Sequence, residues 1–400
     1  MKKVGRNEPC PCGAKKPDGS SVKFKRCHLN KPINVIPPGL IEAYEKMKEA
    51  QTKQKSYLNS LGIYIDFVKP IEFKGKKVWA LGNRVYASHS PHQTFHEFIV
   101  FIVLRHEFGE DWFRTEFQKP EAEMHFIAKC CKKYDELTIR SRSNSSTQIN
   151  EHLWSTMPDG WSRSLLSLAF DIASLAHSAP NHTGQAEQLK KLIERLKNRE
   201  AYQGARYEVT IAAIFARMGF ILDYYDDKST PYKHGEFIAR HPASGVRLVV
   251  EAKSRHRSGV LHQPGPADDK KNTRGDVRQL LNKAVEKETD GLPFLVFIDV
   301  NSPSSDKETF DEKWSRDIVN SLGKDPLPTV ENPDPYSAFV ITNYSYHYQT
   351  DQEASLGQNL MVIPHFPKIS IPDPSILPTI QTALNHYGNV PLIDMLPPVD

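Results

Sequence analysis

EFIARHPASGVRLVVEAK, residues 236–253, reads as two short strands joined by a turn, and it carries charge where apolar residues would pack better. If Pro242-Ala243-Ser244-Gly245 makes the turn, His241 faces Val246, and pairing outward sets Glu236 opposite Glu251. Side chains alternate between faces along a strand. Glu236, Ile238 and Arg240 therefore share a face with Arg247, Val249, Glu251 and Lys253, and Phe237, Ala239, Leu248, Val250 and Ala252 take the other. The expectation is one core surface and one face that gathers two carboxylates and an amine at one end.

Residues directly opposed across a ladder have Cβ atoms about 4.5–5.5 Å apart, and like charges there destabilise the pair. A divalent cation would relieve the repulsion. Mg²⁺ favours oxygen ligands and is typically held by one or two carboxylates while keeping several waters, so Glu236 and Glu251 suit it. Lys253 would then stabilise developing negative charge or help deprotonate a water. The alternative is that these charges face solvent, with Glu251 and Lys253 an exposed same-face pair.

Outward from the hairpin, residues 200–345 follow an α/β order. Tyr207, Ile211, Ile214, Phe215 and Met218 recur at helical spacing before the stop at Gly219, and FILDYY at 220–225 reads as a strand. A second helix is predicted over 276–287, with Val277, Leu280, Leu281, Ala284 and Val285 on one face. FLVFIDV at 294–300 suits a buried strand, and YSAFVITNY at 336–344 suits another.

In this order the segment resembles the PD-(D/E)xK nuclease superfamily, in which an acid on a helix precedes a hairpin bearing an acid and then E-x-K, a second helix and a further strand. Here Glu208 lies on the first helix, Glu236 follows His234-Gly235, and Glu251-Ala252-Lys253 ends the hairpin. The resemblance implies a restriction-endonuclease-like α/β domain with a mixed central sheet that hydrolyses phosphodiesters. Glu236 and Glu251 would bind Mg²⁺, Lys253 would assist attack, and Glu208 would tune the site or bind through water. Arg255, Arg257, Lys270, Lys271 and Arg274 fit a phosphate-bearing substrate, or else form a solvated basic loop. Gln279 faces either the site or solvent. The expected partner is nucleic acid, DNA ahead of RNA. The family usually has Asp where Glu236 stands, which supports an alternative: a catalytically inactive nuclease-like fold kept for binding nucleic acid or as a protein-interaction adaptor.

At the other end of the chain, RNEPCPCGAKK and KFKRCH supply Cys10, Cys12, Cys27 and His28, three thiolates and an imidazole of the kind that holds structural Zn²⁺ tetrahedrally. These residues resemble the SEC-C motif, a small zinc-binding tail known from the preprotein translocase motor ATPase. The stretch Pro17-Asp18-Gly19-Ser20 is inserted in its middle and is expected to form a turn. The resemblance implies a structural metal and a recruitment surface for a protein partner, and Lys23, Lys25 and Arg26 could equally touch nucleic acid.

With 400 residues, the chain has room for several domains. The expected division is a zinc module at 1–31, a mostly helical middle domain with a β-hairpin at 32–199, the nuclease-like domain at 200–350 and a Pro-rich extension at 351–400. The expected class is α+β multidomain. Basic residues number 52 and acidic ones 48, so affinity for a polyanion must come from local clusters. The opening MKKVGRNEPCPCG has no apolar stretch after its lysines, and the run Phe98 to Leu104 is too short to span a bilayer. A cytoplasmic protein with no membrane partner is expected. In the middle region, the stretch 72–87 reads as a hairpin turning at Gly75-Lys76, and Thr94 with Glu97 fits a capping box ahead of FIVFIVL. Helices are also predicted over 161–176 and 185–199, and a short one near 375–386. His92 and His96 favour capping or packing over metal, and adjacent Cys130 and Cys131 read as buried thiols.

Overall fold

The computed structural model describes residues 7–9, 15, 16, 18–23, 49, 52–67, 69–144, 156–178, 183–225, 233–266, 273–303, 307–350 and 352–393. Two compact units divide the chain: Met1–Gln54 with Pro397–Asp400, and Lys55–Leu396. In the first, antiparallel bridges join Pro9 to Lys23 and Lys15 to Ser21. The turn between them passes through Gly19 in the left-handed region (φ +79°), where Asp18 accepts the Ser20 N–H. Cys10, Cys12, Cys27 and His28 lie outside the described residues, as do Lys270 and Lys271.

The larger unit is α+β. A small antiparallel sheet comprises β1 (Ile71–Phe73), β2 (Lys76–Leu81) and β3 (Arg84–Ala87). Its first turn falls at Lys74-Gly75, one residue earlier than the sequence suggests, because both residues adopt positive φ and Phe73 pairs with Lys76. Next comes α1, in the consecutive segments Phe95–Phe98, Ile99–Leu104 and Arg105–Phe108. Thr94 and Glu97 form the expected capping box, and the apolar run Ile99–Leu104 is wound as a π-helix. Helices α2 (Glu110–Phe117), α3 (Phe126–Arg142), α4 (Gly160–Ser178), α5 (Thr183–Lys197) and α6 (Tyr202–Arg217) follow. Helices α4 and α6 pack together and share a buried ion pair, Asp171 with Arg217 at 2.7 Å, to which the Tyr387 hydroxyl donates at 2.8 Å.

The second sheet has six strands in sequence order: β4 (Ile221–Tyr224), β5 (Phe237–Arg240), β6 (Arg247–Ser254), β7 (Phe294–Asp299), β8 (Ala338–Asn343) and β9 (Gln358–Val362). Strands β4, β5 and β6 are antiparallel, β6, β7 and β8 run parallel, and β9 returns antiparallel at the edge. The parallel neighbours need crossovers, which contain α7 (Thr273–Val285) and α8 (Lys313–Leu322). A last helix, α9 (Ile376–Asn385), packs near β9. The strand β9 lies in the Pro-rich stretch expected to be mostly loop.

Both faces of this sheet are covered. Leu295 and Phe297 of β7 join a core shared with α4 and α6, whereas Phe294, Val296 and Ile298 join a second core with Val277, Leu281 and Ala284 of α7 and Trp314 and Ile318 of α8. Period two thus divides each central strand between two cores. In β6 the division is Leu248, Val250 and Ala252 against Val249. The face that gathers the charges at one end is, along the rest of its length, a second packing surface.

Candidate active site

The hairpin register is the one the turn dictates. His241 donates to the Val246 carbonyl at 2.8 Å, Phe237 pairs with Val250, and the Glu236 N–H donates to the Val250 carbonyl at 2.8 Å. This places Glu236 at the mouth of β5, level with Glu251 of β6. On its other side, Glu251 is paired with Val296 and Lys253 with Ile298. Along β6, then, a carboxylate and an ammonium continue the face on which β7 carries Val296 and Ile298.

The Lys253 ammonium joins the two acids, 3.1 Å from Glu236 Oε1 and 2.5 Å from Glu251 Oε1. A second ammonium, Lys287, stands 3.6 Å from Glu251 Oε1 and donates to the His234 carbonyl at 2.9 Å. The opposition of like charges expected to need a divalent cation is thus answered by two lysines. Glu251 is wholly buried, and among the described residues neither of its oxygens receives a hydrogen bond of good geometry. Burial pushes its pKa up to about 6; Glu236 adds to the shift, while Lys253 and Lys287 oppose it. Burial works to lower the pKa of Lys253, but Glu236 and Glu251 outweigh it and hold the ammonium above the usual lysine range.

Glu208 reaches the same group from α6. Arg195 of α5 grips it with both terminal guanidinium nitrogens, Nη2 to Oε1 at 2.7 Å and Nη1 to Oε2. Burial raises the Glu208 pKa, Arg195 lowers it by hydrogen bonding, and Glu236 raises it further. The Tyr224 phenol adjoins both acids, and its pKa is raised by burial, then by Glu208 and Glu236. The four residues singled out from the sequence, Glu208, Glu236, Glu251 and Lys253, therefore share one electrostatic neighbourhood.

The proposed substrate-contacting residues are placed differently. Arg255 is 3% exposed, and its Nε donates to Asp276 of α7 at 2.5 Å. Arg257 is buried too, with its guanidinium 3.4 Å from the Asn301 carbonyl and the Ser302 hydroxyl. Both arginines fasten the chain beyond β6 to its neighbours and do not form an open basic surface. Arg274 and Gln279 are exposed on α7. His96 bonds the Val390 carbonyl at 2.9 Å, in keeping with a packing role, and Cys130 and Cys131 are buried free thiols.

Sequence reasoning missed Lys287 and Arg195. Lys287 is the last residue of the predicted helix, within the charge run EKETD, and Arg195 lies on a charged amphipathic helix, so neither carries a local signal.

Among the described residues, no group of three or more His, Cys, Asp and Glu side chains is close enough to hold a metal ion. The pair Glu236 and Glu251 still offers hard oxygen donors of the type Mg²⁺ takes, and Oε2 of buried Glu251 receives no hydrogen bond among the described residues. A magnesium ion that keeps most of its waters fits that donor set. No helix among the described residues is long and apolar enough to cross a membrane. Neither a protein-family model, nor a curated protein, nor a solved structure matches this chain.

Proposed function

We propose that the chain is a metal-dependent nuclease whose reacting centre is the group Glu236, Glu251 and Lys253, with Glu208 behind it. The observation that carries this reading is the wholly buried Glu251 carboxylate, which stands across the ladder from a second acid and 2.5 Å from the Lys253 ammonium. A domain assembled for stability alone would place apolar residues there, as β7 does with Val296 and Ile298. Glu236 and Glu251 would hold Mg²⁺, which when bound supplies an acidified water and charge stabilisation at a phosphoryl oxygen. Lys253, with its pKa raised, stays an ammonium at neutral pH and serves as an electrostatic stabiliser of the scissile phosphate, not as a base. Arg195 keeps Glu208 oriented towards the pair.

The test is cleavage of plasmid, linear duplex, single-stranded DNA and RNA in Mg²⁺. Cleavage should stop on chelation and fall about 100-fold or more in Glu251→Gln and Lys253→Ala, the scale of losing a general acid–base or electrostatic group. Variants that cut as well as the parent would remove the assignment.

One observation favours a second reading, a nuclease-like fold kept for binding: Lys253 and Lys287 already neutralise both acids, so the cluster is stable without a cation. Nucleic-acid binding with no cleavage in any metal would select it. The zinc module at Cys10, Cys12, Cys27 and His28 belongs to the proposal as a recruitment tail. One equivalent of zinc, lost in Cys10→Ser with Cys27→Ser, is the expected metal content.

A further inference from the structure

Just beyond α7, the chain runs beside the lead-in to β5. The Glu288 N–H donates to the Lys233 carbonyl at 2.8 Å, and His234 and Glu288 form a parallel bridge. Lys287, the residue before Glu288, donates its ammonium to the His234 carbonyl at 2.9 Å and points the same group at Glu251 Oε1, 3.6 Å away. One cation therefore ties the segment that presents Glu236 to the acid buried in β6. Its side chain is 18% exposed.

The charges in this group are countable. Glu236 and Glu251 are negative, Lys253 and Lys287 positive, and the four together carry no net charge. A divalent cation entering this group meets two ammonium ions as well as two carboxylates. Were Lys287 absent, the same group would carry one net negative charge, and the cation would gain by one full repulsion removed at close range.

Resting on the metal-dependent reading above, we infer that Lys287 is a positioning and charge-balancing residue that sets the divalent-cation affinity of Glu236 and Glu251. It holds that affinity low in the free chain and releases it when a phosphodiester enters and takes up the ammonium's charge. The cation and the phosphodiester are then coupled ligands. Each strengthens the other by the same factor, as linkage requires.

The test uses Mn²⁺ as a spin probe, titrated by electron paramagnetic resonance into the full chain with zinc present, and a non-cleavable phosphorothioate oligonucleotide as the phosphodiester. Lys287→Gln keeps an N–H for the His234 carbonyl but loses the charge, and should bind Mn²⁺ on the order of tenfold tighter, about 1.4 kcal/mol. Lys287→Arg should bind as the parent does. In the unsubstituted chain the oligonucleotide should tighten Mn²⁺ binding, and in Lys287→Gln it should do so less. Equal or weaker Mn²⁺ binding in folded Lys287→Gln, with binding lost in Glu251→Gln, overturns the inference while leaving the metal site standing. Should Lys287→Gln fail to fold, the parent alone decides, because an oligonucleotide that leaves its Mn²⁺ affinity unchanged also overturns the inference. Mn²⁺ binding identical in the parent and Glu251→Gln would instead remove the metal-site reading itself.

Discussion

The Lys253 ammonium lies 2.5 Å from a carboxylate oxygen of Glu251, an acid with no exposed surface. Such a pair is poor evidence for stability but a strong constraint once formed, because removing one partner strands the other charge in the interior. Losing a partner of a buried pair costs about 3–5 kcal/mol, and Lys253, which is 27% exposed and seconded by Lys287, belongs at the low end. Lys253→Met should therefore lose about 3 kcal/mol in urea unfolding. Adding Glu251→Gln to that variant should restore part of the loss, a coupling that a double-mutant cycle reads directly. Strictly additive losses would mean the two side chains do not interact.

The pH dependence of stability has two opposed parts. Burial, then His262, Arg199 and Lys119, depress the pKa of His125 to about 2; burial, then Arg199 and Lys129, depress that of His262 to about 4. A depressed histidine stays neutral in the native state while the unfolded chain takes up a proton near pH 6.5, so its contribution is lost as pH falls through that range. Glu251 has the reverse sign. Its native pKa of about 6 exceeds the ordinary 4.5, so its contribution is full below 4.5 and is lost as pH rises through 6. Unfolding free energies measured from pH 7 to 5 should flatten by about 2 kcal/mol in His262→Gln, and over pH 6 to 4.5 should fall more steeply in Glu251→Gln by up to about 2 kcal/mol. Identical profiles for both variants and the parent would contradict both burial arguments.

The neighbourhood of Glu236 and Glu251 was legible because Pro242 to Gly245 fixes a turn and period two does the rest, and the strands FLVFID and AFVITN announce themselves as continuous apolar runs. What lies over the far face was not legible. Nothing in β6 itself states that Val277, Leu281 and Ala284 of α7 will cover it, because coverage is set by a crossover many residues away. For the same reason Arg255 and Arg257 read as a surface patch, although Asp276 and Asn301 draw them inward. The edge strand β9 escaped notice because QNLMV is short and followed by proline-rich chain, so its pairing with Phe339 to Asn343 is a tertiary outcome.

Gly235 offers a way to move Glu236 without altering it. A methyl group at this position would lie 2.7 Å from Val249 Cγ1 and 2.9 Å from the Val250 carbonyl oxygen, the same oxygen that accepts the Glu236 N–H. The valine can rotate, but the carbonyl belongs to the ladder and cannot. Gly235→Ala should cost about 1–3 kcal/mol by overpacking. On the proposed reading, it should also depress nucleic-acid cleavage beyond what its lower stability explains when assayed well below its melting temperature. Full activity in a destabilised Gly235→Ala would mean that the position of Glu236 does not govern the chemistry.

Arg195 tests whether Glu208 acts as a carboxylate. Burial and Glu236 both push the Glu208 pKa up, and the two-pronged guanidinium contact is the main influence holding it down. Arg195→Ala takes that restraint away while leaving Glu208 in its half-buried place on α6, so protonation moves to higher pH. If the ionised form of Glu208 is needed, the acid limb of the rate profile should shift upward in Arg195→Ala, with Arg195→Lys restoring part of the shift, since a single ammonium supplies the charge but not the fork. At high pH, where Glu208 is ionised in either chain, the rates should converge. A purely structural role for Arg195 predicts a different pattern, a uniform loss at every pH with no movement of the limb, and the two outcomes separate cleanly in initial rates measured from pH 5 to about 9.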